Sequence, residues 1–187
     1  IGDRNANENG NAQATVTLSF GGDIDVLLPV ITLPDDIETN ATALFTKVDL
    51  GVATAINNSG EVVPASLIDG VTMFAPGNHL VYWQAQDSNS LTNTATQNIV
   101  VHPLITIAKD GQTSEDTHYQ VGVYLNGESP NYPVTIHYTV GGSSDETDHN
   151  LVSGELVIEE GVEGHISFDV LGDAIVEDNE TLTITLD

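Results

Sequence analysis

Apolar and polar side chains alternate with a period of two along most of this chain, and that alternation limits its fold more than any other feature. Val81, Trp83 and Ala85 alternate with Tyr82 and Gln84, and Val134, Ile136, Tyr138 and Val140 alternate with Thr135, His137 and Thr139. Ile166, Phe168 and Val170 repeat the pattern, as do Leu182, Ile184 and Leu186 between threonines. A period of two sends every second side chain to one face of an extended chain, so each run encodes a half-buried antiparallel strand. No window of helical length carries an i, i+3, i+4, i+7 stripe. Turn residues separate the runs at Asn58-Ser59-Gly60, Pro76-Gly77-Asn78, Asn126-Gly127, Gly141-Gly142, Glu160-Gly161 and Gly172-Asp173. The expected class is all-β, arranged as two tandem Ig-like antiparallel β-sandwiches.

Three threonine-rich alternating runs mark the expected module ends: 14–20, 94–101 and 181–186, each followed by a break. They divide the chain into a tail (1–22), a first sandwich (23–103) and a second (104–187). The tail is either the closing strand of a module further upstream or a strand added to the first sandwich. The first residue is not Met and Asp187 directly follows a strand-like run, which leads us to expect a piece of a longer protein.

Charge narrows the partners. Against 28 Asp and Glu stand only 3 Lys and Arg (Arg4, Lys47, Lys109), for a formal charge of −25. Such a field repels phosphate backbones and anionic bilayers, so neither nucleic acid nor a membrane surface is an expected partner, and cations are the natural counter-species. The acid is uneven, with 11 carboxylates in residues 1–103 and 17 in residues 104–187, which places the expected cation site in the second half. The absence of cysteine removes disulfides, thiol catalysis and thiolate metal sites. No apolar run approaches a membrane span, and direct membrane insertion is not expected.

Residues 27–103 resemble the hyalin repeat (HYR) module through Pro29-Val30-Ile31, Pro34-Asp35-Asp36, Ala55, Phe74-Ala75-Pro76-Gly77-Asn78-His79, the run from Val81 to Asp87, and Thr94-Ala95. The resemblance implies an Ig-like sandwich in an extracellular protein, with Leu33 and Trp83 standing where disulfide-bearing members have cysteines. Residues 104–187 resemble the Calx-beta module, a calcium-associated sandwich. Here the carriers are Ile105-Thr106-Ile107, Glu115, the run from Pro133 to Tyr138, Asp148, Gly154-Glu155-Leu156-Val157-Ile158, Gly161 and the stretch from Gly172 to Leu182. Two positions depart from that family: Gly172 stands where many members have another Asp, and His149 where Tyr is usual.

The resemblance implies a calcium site made of Asp173, Glu177 and Glu180 with Glu115 and Asp148. Calcium needs six to eight oxygen ligands at ~2.3–2.6 Å, which loops gathered at one end of a sandwich can supply. The competing reading is a solvated acidic rim. A second oxygen-rich stretch, Asp3-Arg4-Asn5-Ala6-Asn7-Glu8-Asn9-Gly10, begins like an EF-type loop, but its glycine comes at the eighth place and no Glu fills the twelfth, so a linker is the ordinary reading. His79, His102, His118, His137, His149 and His165 form no zinc spacing. Tyr119, Tyr124 and Tyr132 are either an exposed ligand patch or cross-strand packing residues.

No nucleophile elbow is present, and Asp148-His149 adjacency does not make a triad, so the chain is not expected to be an enzyme. The expectation is a structural and interaction segment of a large secreted or cell-surface protein, adhesin- or matrix-like, with calcium and neighbouring modules as partners. Its alternative is an accessory carbohydrate- or matrix-binding module of an extracellular hydrolase, which brings in a glycan or a surface protein.

Overall fold

The computed structural model describes residues 27–172 and 179–187, and among them every regular element is a β-strand. The tail with its run 14–20, the Asp3–Gly10 stretch and the candidate ligands Asp173 and Glu177 lie outside the described residues.

In the N-terminal half the strands are β1 (Val30–Thr32), β2 (Ile37–Asn40), β3 (Thr46–Lys47), β4 (Thr54–Ile56), β5 (Val62–Val63), β6 (Ala65–Leu67), β7 (Met73–Phe74), β8 (Gly77–Gln86) and β9 (Thr92–His102). They form sheets β1-β4-β5, β2-β9-β8-β6 and the pair β3-β7. Inward residues of these strands, with Val48 and Leu50 from the segment after β3, make one apolar cluster that includes Phe74, Val81, Trp83, Ile99 and Val101, with Leu33 packed against it. Leu33 and Trp83 therefore share one core.

One pairing corrects the antiparallel expectation: β2 runs parallel to β9, with Ile37 opposite Ile99 and Asn40 opposite His102. Leaving β1, the chain keeps its direction while Leu33–Asp36 carries it to the other sheet. Pro34 cannot donate to a ladder, which suits a crossing, and it packs on Gly51, whose φ is +74°. Two neighbours on β9 hold the crossing in place. Gln97 Nε2 donates to Asp35 O at 2.7 Å, and the Asp36 carboxylate accepts from the backbone N–H and side-chain amide of Asn98, both at 2.8 Å. A period of two marks a strand but carries no information about its direction.

The C-terminal half contains β10 (Ile105–Ile107), β11 (Thr117–Leu125), β12 (Val134–Gly142), β13 (Gly154–Ile158), β14 (Glu163–Val170) and β15 (Leu182–Leu186). Its sheets are β10-β11-β14 and β13-β12-β15. Val123, Leu125, Ile166 and Phe168 from the first sheet and Ile136 and Ile158 from the second form a separate cluster, joined by Leu182, Ile184 and Leu186. No strand pairing among the described residues crosses Pro103.

Only Pro103 and Leu104 separate β9 from β10. Asn126 binds this linker, its Oδ1 accepting from Leu104 N–H at 2.6 Å and its own N–H donating to Leu104 O at 3.0 Å, while Nδ2 reaches Ala43 O in the other half at 2.8 Å. Asn78 Nδ2 donates to Pro130 O at 3.0 Å, and Gly127 lies so close to the Pro76 ring that a Cβ there would come within 2.9 Å of it.

Candidate metal centre

The end of β14 farthest from Pro103 gathers the acidic loops. Thr117, at the start of β11, pairs with Val170, and His149 bridges the same residue. Leu171 N–H donates to Asp148 O at 2.7 Å. Ser143 N–H donates to Thr181 O at 2.8 Å and Ser143 Oγ accepts from Thr181 N–H at 2.9 Å, which brings in the segment holding Glu180. Glu115, Asp148 and Glu180 thus belong to segments collected at one end of the half, and Gly172 and Asn179 bracket the undescribed stretch that carries Asp173 and Glu177. Among the described residues, no three His, Asp or Glu side chains converge as a metal-holding group.

Local hydrogen bonds explain where each carboxylate sits. Residues 145–148 form a reciprocal turn: Asp145 N–H donates to Asp148 Oδ2 at 2.6 Å, while Asp145 Oδ1 accepts from Thr147 N–H at 2.8 Å and Thr147 Oγ1 at 2.7 Å. The back-reach of Asp148 to the first N–H matches one half of a capping box, here without a helix. Asp148 therefore has a structural partner for one oxygen. Glu115 is exposed, and its carbonyl accepts from Thr117 Oγ1 at 3.1 Å.

Asp116 also lies at this end. Its φ is +55°, and its carboxylate lies over Gly172, where a Cβ would fall 2.7 Å from Cγ and both oxygens. A side chain at residue 172 would therefore require the Asp116 carboxylate to move. A shallow depression of about 350 Å³ adjoins the turn, lined by Gly142, Ser144, Asp145, Glu146, His149 and Leu151 among others.

The histidines are all partnered. His118, His137, His165 and His102 face Asp169, Glu155, Glu163 and Glu38 at 2.7–3.3 Å. His79 Nε2 donates to Ala75 O, and the buried His149 accepts from Leu151 N–H at Nδ1, with its ring edge-on to Phe168. Of the three tyrosines, Tyr119 and Tyr132 pack on the core and only Tyr124 is exposed, with its ring over Gly122. The tyrosine patch is thereby corrected to a single exposed ring, because inward register takes Tyr119 and the Gly161 carbonyl holds the Tyr132 hydroxyl.

Three exposed aspartates are held below the usual carboxylate range by hydrogen bonds to the charged form. The donors are the Thr147 backbone and then hydroxyl for Asp145, His118 and then Asn150 for Asp169, and the Asn98 side chain and then backbone for Asp36. A carboxyl whose pKa falls on folding contributes stability above its unfolded value, near ~3.9, and loses it as pH drops through the folded value. Melting Asp169→Asn beside the parent should show the variant less stable at neutral pH, with the gap closing below roughly pH 4. A gap that persists undiminished in acid would contradict this. Comparing the two proteins at each pH cancels the acid relief of the overall repulsion.

No protein-family model, curated protein or solved structure matches this chain.

Proposed function

We propose that the chain is a structural and interaction segment of a large secreted or cell-surface protein, adhesin- or matrix-like, in which a hyalin-repeat-type sandwich precedes a Calx-beta-type one that calcium rigidifies. The observation that supports it most is the joint: a two-residue linker containing proline, with Asn126, Asn78 and the Pro76–Gly127 contact fastening the halves beside it. Proline fixes φ at about −65°, and each hydrogen bond adds a net ~0.5–1.5 kcal/mol, enough in sum to hold one orientation. A binding module carried at the end of a pole needs such a joint, whereas a hinge needs the opposite.

Calcium belongs to the same proposal. The loops holding Glu115, Asp148 and Glu180 share one end, and like charges brought together there repel one another, less so in salt. A cation bound only by the folded state relieves that repulsion, and at ~100 times its Kd it adds about 2.7 kcal/mol. Extracellular modules bind calcium at ~10⁻⁴–10⁻³ M.

Small-angle scattering and calorimetry test the two parts separately. The parent should scatter as one conformer, and Asn126→Ala with Asn78→Ala should broaden the distance distribution without lowering either half's melting temperature much. A parent that already scatters as a broad ensemble sinks the pole. Millimolar calcium should raise the melting temperature of the C-terminal half more than magnesium does, and Asp173→Ala with Glu180→Ala should abolish most of that rise. Titration calorimetry that detects no heat of calcium binding removes calcium from the proposal.

A further inference from the structure

We infer that the outer face of β8 and β9 binds an uncharged polysaccharide, with Tyr82 as the stacking ring and the amides and hydroxyls around it as the hydrogen-bonding groups. Side chains of a strand alternate between the two faces of a sheet. Outward on β8 stand Leu80, Tyr82 and Gln84, set by the antiparallel register opposite Asn98, Thr96 and Thr94 of β9. On the other side of β8, Ile68 N–H donates to Tyr82 O at 2.9 Å, which continues the β6 register and puts Ile68 in the same row. Leu80, Tyr82 and Ile68, at 54, 43 and 50% exposure, make a small apolar centre in a field of amides and hydroxyls. Five outward positions on each long strand give the face a length of about 27 Å at ~3.4 Å per residue, room for a run of several sugars.

Charge singles this face out. The chain carries −25, yet the 10 residues of β8 and the 11 of β9 include no Asp, Glu, Lys or Arg. Carboxylates border the face without entering it: Asp36 and Glu38 at the β2 side, Asp69 beyond Ile68 and Asp87 beyond β8. Asp36 is engaged by Asn98, Glu38 by His102, and Asp87 by Asn89 and Leu91 N–H in its own turn. The polar groups on the face itself are unspent. Among the described residues the side chains of Tyr82, Gln84, Thr94 and Thr96 make no hydrogen bond. On the outer face of β11 and β14, by contrast, Gln120 donates to Ser167 Oγ at 3.1 Å and His118 pairs with Asp169.

These features select the occupant. An anionic polymer is repelled by the chain's field and by the acidic border, and a cationic one is drawn to the carboxylate-rich loops instead of to a face without a carboxylate. A stable protein interface takes roughly 800 Å² and 20–30 residues a side around a dry core, and three half-exposed apolar side chains do not make that core. A second copy also brings its own −25. A neutral polysaccharide matches what remains. The C–H faces of its sugar rings lie against an aromatic ring and aliphatic side chains, and its hydroxyls exchange hydrogen bonds with amides and threonine hydroxyls, directly or through water. Tyrosine and the β-branched threonines have few rotamers to lose, so the face is largely ordered before the ligand arrives.

The inference rests on the reading of the chain as an interaction segment and names what it grips, but its test reports on neither the joint nor calcium, so the two can fail separately. The whole 187-residue chain is run through native gels cast with hydroxyethylcellulose, xyloglucan, galactomannan or dextran, and with alginate as the anionic comparison. At least one neutral polymer should retard it and alginate should not. Titration calorimetry with the retarding polymer should give the same affinity at low and high salt, because no charge is neutralised on binding. Tyr82→Ala should weaken binding roughly tenfold or more, and so should Gln84→Ala with Thr96→Ala. Tyr124→Ala, which removes the exposed ring of the other half, should bind like the parent. All three proteins should melt with the parent, since these side chains lie outside both apolar clusters; if Tyr82→Ala does not fold, the double variant decides. The inference is overturned by no retardation in any neutral gel, by retardation in alginate, by an affinity that salt abolishes, by a folded Tyr82→Ala or double variant that binds like the parent, or by loss of binding in Tyr124→Ala. Sedimentation that finds the free protein dimeric, and monomeric with Tyr82→Ala, also overturns it by giving the face to a second copy.

Discussion

Gln97→Met is expected to lower the stability of the N-terminal half by about 2–4 kcal/mol, a fall in melting temperature on the order of 10–25 °C. Gln97 is wholly buried, and its amide is shared among three groups: Oε1 accepts from Trp83 Nε1 at 3.1 Å, and Nε2 donates to Asp35 O at 2.7 Å and Leu50 O at 3.2 Å. Methionine fills nearly the same volume, so little of the loss comes from a cavity. What remains is the desolvation cost of an indole N–H and two carbonyls without their partner, roughly 1–3 kcal/mol per group before relaxation. Because Asp35 lies in the crossing between β1 and β2, the same change should release β2 from β9, seen as faster amide exchange at Ile37–Asn40. A Gln97→Met protein within ~0.5 kcal/mol of the parent, the usual range for a neutral surface change, would show that the amide merely occupies space.

Gly142→Ala should cost at least about 2–3 kcal/mol in the C-terminal half, whereas Gly141→Ala, one residue away, should be nearly silent. Gly142 has φ +122°, where side chains are rarely accommodated, and a Cβ there would lie 1.9 Å from Thr181 O. Relief requires the start of β15 to move, breaking the Ser143–Thr181 hydrogen bonds that place the Glu180 segment. At Gly141 a Cβ meets nothing within 4 Å. The pair separates a local clash from a general intolerance of alanine at the end of β12: chemical denaturation of both variants reads it, and equal losses would refute the assignment of the damage to Thr181.

The two predictions fall where sequence reasoning stopped. Alternation located the strands well, since 165–171 and 181–186 were expected where β14 and β15 occupy Glu163–Val170 and Leu182–Leu186. It also held the signal for Gln97: in the run Ala95, Gln97, Ile99, Val101 a polar residue falls on the inward register, which asks for a buried partner without naming Trp83. Direction left no such trace, because parallel and antiparallel edge strands share one period, and β2 was missed on that account. At the acidic end the backbone at φ +55° places Asp116 over Gly172, a contact that does not follow from residue type. Asp148 was legible as a candidate ligand, but that one of its oxygens serves the 145–148 turn appears only in the structure.

β9 has a consequence for how the molecule bears tension. It is the longest strand among the described residues, lies between β8 and β2 with ladder pairs on both sides, and continues into β10 through two residues. A pull transmitted through Pro103 acts along the axis of β9, so its ladder bonds are strained in shear together instead of being peeled away singly. The N-terminal half should therefore hold while β15, which among the described residues pairs with β12 alone, gives way first. Under load the molecule would lengthen by yielding at its C-terminal strands while its N-terminal half stayed folded.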